Sequence, residues 1–231
     1  MKAKYLIAFA LVGLALPCSA QMVDMTGRFI STVKPLMFEG KALLGPGAVK
    51  ILPPGDEGKF LKELKTEPAV LTLPTVTTKV RQQAVIQIVK DFEFRPKLLG
   101  DRSLLRPDWK PDLSKTKVDL GTTLTCEAMK VAGDKVEVKW QPAIRKLLGY
   151  RERKVPVEAL NAPNPLQDIF LAVETPLLRT AEIETWETEA LVNMPSDSVA
   201  IIYIGSDRTQ SAPRWLYMLV RASVNRDVAS R

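Results

Sequence analysis

The chain has no histidine and only two cysteines. The first shortage excludes Ser-His and Cys-His nucleophile pairs and every histidine metal site. The second leaves Cys126 alone once a leader containing Cys18 is set aside, so neither an internal disulfide nor a thiolate zinc site can form. A glycine-rich phosphate loop is missing too: Gly45-Pro46-Gly47 lacks both the spacing and a following helix. What remains is carboxylate chemistry. Glu182, Glu184, Glu187 and Glu189 crowd around Trp186, and acid pairs beside aromatics occur in glycosidases. On a strand, however, Glu182 and Glu184 share one face and Glu187 and Glu189 the other, as charges on the solvent side of a sheet do. The expectation is a protein without catalytic residues, cofactor or metal.

Long apolar runs are scarce as well. Lys2 and Lys4, an apolar core from Leu6 to Leu16 and the small residues Cys18-Ser19-Ala20 read as a signal peptide over residues 1–20. The run is too short to span a bilayer. A lipid-bearing Cys18 is the alternative, and Pro17 directly before it fits that processing poorly. The exported chain then begins at Gln21. Removing Lys2 and Lys4 leaves 31 basic against 26 acidic side chains, a net charge of +5. In an exported compartment this excess favours solubility and a weak attraction to anionic lipid or cell-wall polymer over nucleic-acid binding.

Period-two alternation dominates the rest of the sequence. Val23 to Val33 reads as a strand, followed by breakers at Pro35, Gly40, Gly45-Pro46-Gly47 and Pro53-Pro54-Gly55, which mean turns or a linker over the remainder of 21–55. Asp56 is placed to cap a short helix presenting Phe60, Leu61 and Leu64, with Pro68 at its end. After it come an extended β-branched segment, a polar turn from Lys79 to Gln83, and a strand alternating Ala84, Ile86, Ile88 against Val85, Gln87, Val89; both sets are largely apolar, so cover on both sides is expected. Residues 95–112 read as an ordered loop. Val118 to Val131, the turn at Gly133-Asp134, and Val136, Val138 and Trp140 read as a hairpin. Cys126 in its first strand is either a small core hydrophobe or a reactive thiol, and nothing basic or aromatic nearby in sequence activates it. Arg151, Arg153 and Lys154 open an irregular stretch to residue 168, either a solvated loop or a contact for an anionic partner. Ala181 to Thr188, Val199 to Ile204 and Trp215 to Val224 complete the strands, the last apolar on both faces.

The segment from Thr72 to Phe94 resembles the start of the C-terminal domain of secretins, the ring-forming outer-membrane channels of type II and type III secretion and type IV pilus systems. Pro74, Val76, Thr77, Thr78, Gln83, Ala84, Ile86, Ile88, Phe92 and Phe94 match that family's Pro-x-Val-Thr-Thr stretch, Gln turn, Ala-x-Ile strand and aromatic pair in order and spacing. Farther on, Gly121, Leu124, Gly133-Asp134, Pro142, Gly149-Tyr150 and Gly205 fall at places similar to the family's hairpin and closing strands, although the turn is inverted from Asp-Gly to Gly-Asp. Where secretins carry a Gly-Gly-Leu turn and a Val-Pro-x-Leu-Gly segment, this chain has the polar stretch Gly205 to Pro213, which offers no amphipathic lip for a bilayer.

The resemblance implies a β-rich (α+β) fold, a secretin-like antiparallel sheet domain over 56–224 with one short N-terminal helix, after a 21–55 segment and before a 225–231 tail. It further implies an exported structural subunit of the periplasm or outer membrane, within or beside a protein secretion or pilus complex. Its partners would be copies of itself or other secretion or pilus components, with no small-molecule substrate and no nucleic acid. The alternative is a soluble periplasmic accessory or binding domain that forms no channel.

Overall fold

The computed structural model describes residues 21–45, 47–64, 69–161, 175–209 and 212–225. The segment 1–20 expected to be a signal peptide, Pro46, Pro68, the stretch around Pro163 and Pro165, and residues 226–231 lie outside them. The elements are β1 (Met22–Thr32), β2 (Met37–Phe38), β3 (Lys41–Ala42), β4 (Val49–Leu52), α1 (Glu57–Glu63), β5 (Ala69–Thr72), β6 (Val76–Lys79), β7 (Gln83–Phe94), β8 (Lys97–Leu99), β9 (Thr116–Ala132), β10 (Lys135–Lys154), β11 (Leu177–Glu187), β12 (Ala190–Pro195), β13 (Val199–Asp207) and β14 (Arg214–Asn225). The described fold is antiparallel β with one short α-helix, the β-rich class expected. Two compact units divide it. The larger holds the described residues up to Lys90, Gly121–Ile144 and those from Thr185 on; the smaller holds Asp91–Leu120 and Arg145–Glu184.

In the larger unit, one sheet runs in the order β4-β13-β14-β1, with β5 and β6 sharing the far edge of β1. β1 pairs with β14 along its whole length, from Met22 opposite Asn225 to Thr32 opposite Trp215. The strand read as a segment ahead of the β domain is therefore an interior strand of it. The second sheet takes the near parts of β7, β9 and β10, with β12 paired to β10 from Lys135–Pro195 to Trp140–Ala190. β12 was not foreseen, although Ala190, Val192 and Met194 alternate buried with exposed Leu191, Asn193 and Pro195.

Period-two alternation places one face of each sheet in a shared core. Val23, Met25, Met218, Val220, Ala200 and Ile202 of the first sheet join Ala84, Ile86, Leu124, Cys126, Val136, Val138, Trp140 and Met194 of the second. Each fully buried Val, Leu, Ile or Met side chain among them contributes about 1.5–3 kcal/mol. The outer face of the first sheet is covered too: Ile30, Val199, Ile201, Tyr203, Tyr217 and Leu219 pack with Leu36, Phe38, Leu43, Phe60, Leu61 and Leu64. β13 and β14 form a middle layer, which is why both their faces are apolar. The Tyr217 hydroxyl ties the covering segment down, accepting from the Leu36 N–H at 3.0 Å and donating to the Leu43 carbonyl at 3.2 Å.

A helix of seven residues is not stable by itself. Packing holds α1 in place, and so does Glu57, which pairs with Arg28 and Arg221. Asp56 occupies the N-cap position but its side chain makes no cap hydrogen bond; it pairs with Lys59 at 3.3 Å instead.

In the smaller unit the far parts of β7, β9, β10 and β11 join β8 in the order β7-β9-β10-β11-β8. Only Arg95 and Pro96 separate β7 at one edge from β8 at the other. Such a link spans about 10 Å, roughly half of what four strand spacings would need in a flat sheet, so this sheet curls. Val155, Ala159 and Leu160 form a small cluster with Leu98, Leu105 and Trp109. β10 runs on to Lys154, so Arg151, Arg153 and Lys154 are strand residues and not the start of a loop.

Candidate functional site: the sheet edges and their neighbours

The Thr72–Lys90 part of the motif builds one border of the larger unit. Arg28 stands opposite Thr72 and Met25 opposite Val76, so Leu73-Pro74-Thr75 faces only Thr26-Gly27. One extra residue makes a β-bulge in an edge strand, a place where proline's missing N–H costs no ladder bond. Pro74 is exposed there, Val76 is half-buried, and Thr77 donates its hydroxyl to Asp24 at 2.5 Å. Thr78 is buried and donates to the Gln82 carbonyl at 3.0 Å, closing the turn in which Arg81 takes a positive φ of 64°.

Gln83 opens β7 exposed; Ala84 and Ile86 enter the core, and Ile88 is half-buried. On the opposite face Val89 is buried but Val85 and Gln87 are only half-buried. The cover expected on both sides is thus partial on each: Ala84 and Ile86 are buried on one face and Val89 on the other, while Ile88, Val85 and Gln87 stay half-buried. Gly121 has φ +135°, and a Cβ there would sit 2.2 Å from the Ile88 carbonyl oxygen, so glycine is required where β9 crosses β7. Leu124 is fully buried. At Gly205 a Cβ would meet the Trp186 ring at 2.9 Å.

The remaining motif residues lie in the smaller unit. Phe92 and Phe94 are half-buried, and Phe94 tilts against Tyr150 with ring centroids 5.4 Å apart. Tyr150 is 55% exposed, and Gly149 has φ +151° in open space. The matched residues therefore do not converge on one point. They shape edges and turns.

Among the described residues β4, β5, β6, β7 and β12 each pair on one side only within the larger unit. β4 and β12 flank an open cleft of about 430 Å³ lined by Val49, Lys50, Ile51, Leu191, Val192 and Asn193. Val70 and Leu71 are exposed on β5. Unpaired backbone along such edges is a template for another strand.

Of the other candidate groups, Glu182 and Glu189 are engaged, Cys126 is buried, Glu184 is half-buried and Glu187 exposed. Glu189 is held below the ordinary carboxylate range by hydrogen bonds from Lys139 and Gln141, and Glu182 pairs with Arg151 at 3.4 Å. Burial pushes the Cys126 thiol up to about 12, which suits the core hydrophobe and not the reactive thiol. Among the described residues no group of three or more His, Cys, Asp or Glu is placed to hold a metal, and no helix is long and apolar enough to cross a membrane.

One constellation was missed. Glu57, mostly buried, accepts from Arg28 Nη1 at 2.9 Å and Arg221 Nη2 at 2.6 Å. Its sequence signal is Arg221 itself, the single charge in the run Leu216 to Val224.

No family model and no curated protein matches the chain. Among solved structures it is similar to the Salmonella SPI-1 type III secretion injectisome secretin InvG, with 10% identity over 90% of this chain and 63% of that one, at a TM-score of 0.36. The type II secretion secretin XcpQ from Pseudomonas aeruginosa shows 14% identity over 91% of this chain and 58% of that one, at 0.35. A chain of the Klebsiella pneumoniae type II secretion outer-membrane complex of PulD, PulS and the PulC HR domain shows 12% identity over 90% and 39%, at 0.33. The chain thus spans less than two thirds of each of these chains.

Proposed function

We propose that the chain is an exported structural subunit, similar to secretins, that assembles through its sheet edges into or beside an outer-membrane protein secretion or type IV pilus complex. It acts by backbone pairing and apolar strand faces, without a cofactor, a small-molecule substrate or a catalytic step. One observation carries this reading. The stretch most similar to the family, Pro74 to Phe94, follows sheet borders: a bulged strand paired on one side to β1, then the edge strand of the second sheet, joined by a tight turn whose Arg81 N–H donates to the Ala128 carbonyl. Size-exclusion chromatography with light scattering on the chain starting at Gln21 tests it. A homo-oligomer of high order is expected; a monodisperse monomer at every concentration overturns it.

The hairpin between β13 and β14 favours a second reading, a soluble periplasmic accessory domain. Asp207 is buried at its base and accepts from the Thr209 N–H at 3.0 Å, so this end of the hairpin is built on a charge and not on an apolar lip. Carrying Asp207 and Arg208 into hydrocarbon would cost several kcal/mol, on the order of 2.5–3.5 for each charge. The purified chain is therefore expected to give no conductance across planar bilayers at concentrations where oligomers are seen. Stable single-channel steps would remove this second reading.

A further inference from the structure

We infer that the cavity beside the Pro74 bulge is a binding site for a phosphate-like oxyanion. Thr26 stands directly opposite Arg221 across β1 and β14, and Arg28 opposite Thr72 across β1 and β5. At the bulge the edge strand breaks its pairing, leaving a cavity of about 180 Å³ lined by Thr26, Arg28, Glu57, Thr72, Thr75 and Arg221, among others. Two guanidinium groups face one carboxylate there, a surplus of one positive charge. Asp24, two residues before Thr26 on β1, is engaged by Thr77 and Asn225.

The donors outnumber the acceptors. A guanidinium carries five N–H donors, and Glu57 draws on Arg28 Nη1 and Arg221 Nη2. Arg221 Nε is enclosed and has no acceptor among the described residues. Three threonines, Thr26, Thr72 and Thr75, line the same space and carry hydroxyl donors. Arginine's planar fork matches phosphate and sulfate oxygens, so the complement of this cavity is a small oxyanion seated beside Glu57. The phosphate can belong to a lipid headgroup or be a free ion; the recognition chemistry is the same. Glu57 both orients the arginines and competes with the ligand by charge. That double role gives its removal the opposite sign from removal of an arginine.

Isothermal titration of the mature chain with inorganic phosphate at constant ionic strength tests the site, with sulfate as a second oxyanion and chloride as control. Saturable binding of phosphate and sulfate, and none of chloride, is expected. Arg221→Gln should weaken it about tenfold or more, roughly the loss of one charge-assisted hydrogen bond. Glu57→Gln should strengthen it. Circular dichroism checks each fold, and Arg28→Gln serves the same purpose if Arg221→Gln does not fold. Sedimentation with phosphatidylglycerol against phosphatidylcholine vesicles separates the sources. Arginine-dependent retention on the anionic vesicles assigns a headgroup, and phosphate binding without retention assigns the free ion; either upholds the site. The inference is overturned if neither oxyanion binds saturably and no arginine-dependent retention occurs. It is also overturned if binding is indifferent to both arginines, or if Glu57→Gln weakens it as they do, since the cluster then only pins α1.

Discussion

The two units share a chain and a strand vocabulary but differ in what their strands bury. In the larger, Met25, Leu124, Val136, Val138, Trp140 and Met218 are wholly enclosed, and β13 and β14 are covered on both faces. In the smaller, no side chain of its strand segments is fully buried; Val155, Ala159 and Leu160 lie after β10, and Pro176 before β11. Alternation alone does not make a core. A sheet is stabilised by the layer laid against it, and among the described residues such layers lie around the strands of the larger unit. Buried apolar side chains are concentrated there, while Phe92, Leu148 and Ile183 of the smaller unit are only half-buried.

The sharpest way to break this contrast is to place one charge in each unit. Ile86→Asp buries an unpaired carboxylate and should cost several kcal/mol, about 4 or more, while Ile183→Asp should cost under about 1 kcal/mol. Equal urea midpoints for the two variants would show that the smaller unit holds a core of its own. The glycines sharpen it next. Gly121→Ala meets both a positive φ and the Ile88 carbonyl and should lose about 3 kcal/mol, whereas Gly149→Ala meets only its φ and should lose about 1 kcal/mol. Thermal denaturation with matched losses would mean that the close approach in the larger unit relaxes freely.

Proton linkage probes the larger unit's interior without a substitution. The folded thiol of Cys126 is raised from 9.0 to about 12 by burial. Its contribution is therefore complete below pH 9 and is lost as pH rises towards 12, because the unfolded chain releases the proton first. Tyr217, raised from 10.0 to about 12 by burial, works in the same direction. Stability measured from pH 8 to 11 should fall, and Cys126→Ala should flatten that fall. An unchanged slope would place the thiol in contact with water. The smallest effect belongs to the smaller unit: a double-mutant cycle on Phe94 and Tyr150 should give about 0.5 kcal/mol, the low end for an aromatic pair, since Tyr150 is mostly exposed. A coupling above about 1.5 kcal/mol would reveal a packed centre there.

Much of the larger unit was legible because its signals are local. β1, the near part of β7, the β9–β10 hairpin, β13 and β14 each announce themselves by alternation and by turn residues within a few positions, as Gly133-Asp134 does. β12 was passed over although its alternation is clean, since it is short and follows directly on the acidic Glu182–Glu189 stretch. The end of β10 from Arg151 to Lys154 resembles a loop in sequence because an exposed strand rich in Arg and Lys has the composition of one.

What the sequence determined by itself is much of the alphabet of this fold: most of the long strands of the larger unit, their apolar faces, and the histidine- and cysteine-based chemistries that the composition excludes. Tertiary structure decided the rest. It made β1 the neighbour of β14, turned Pro74 into a bulge, and brought Arg28, Glu57 and Arg221 into one cluster. The physical reason is range. Alternation and turn chemistry act between residues a few positions apart, whereas partner choice, register and charge clustering join residues far apart in the chain and exist only once the sheets have closed on each other.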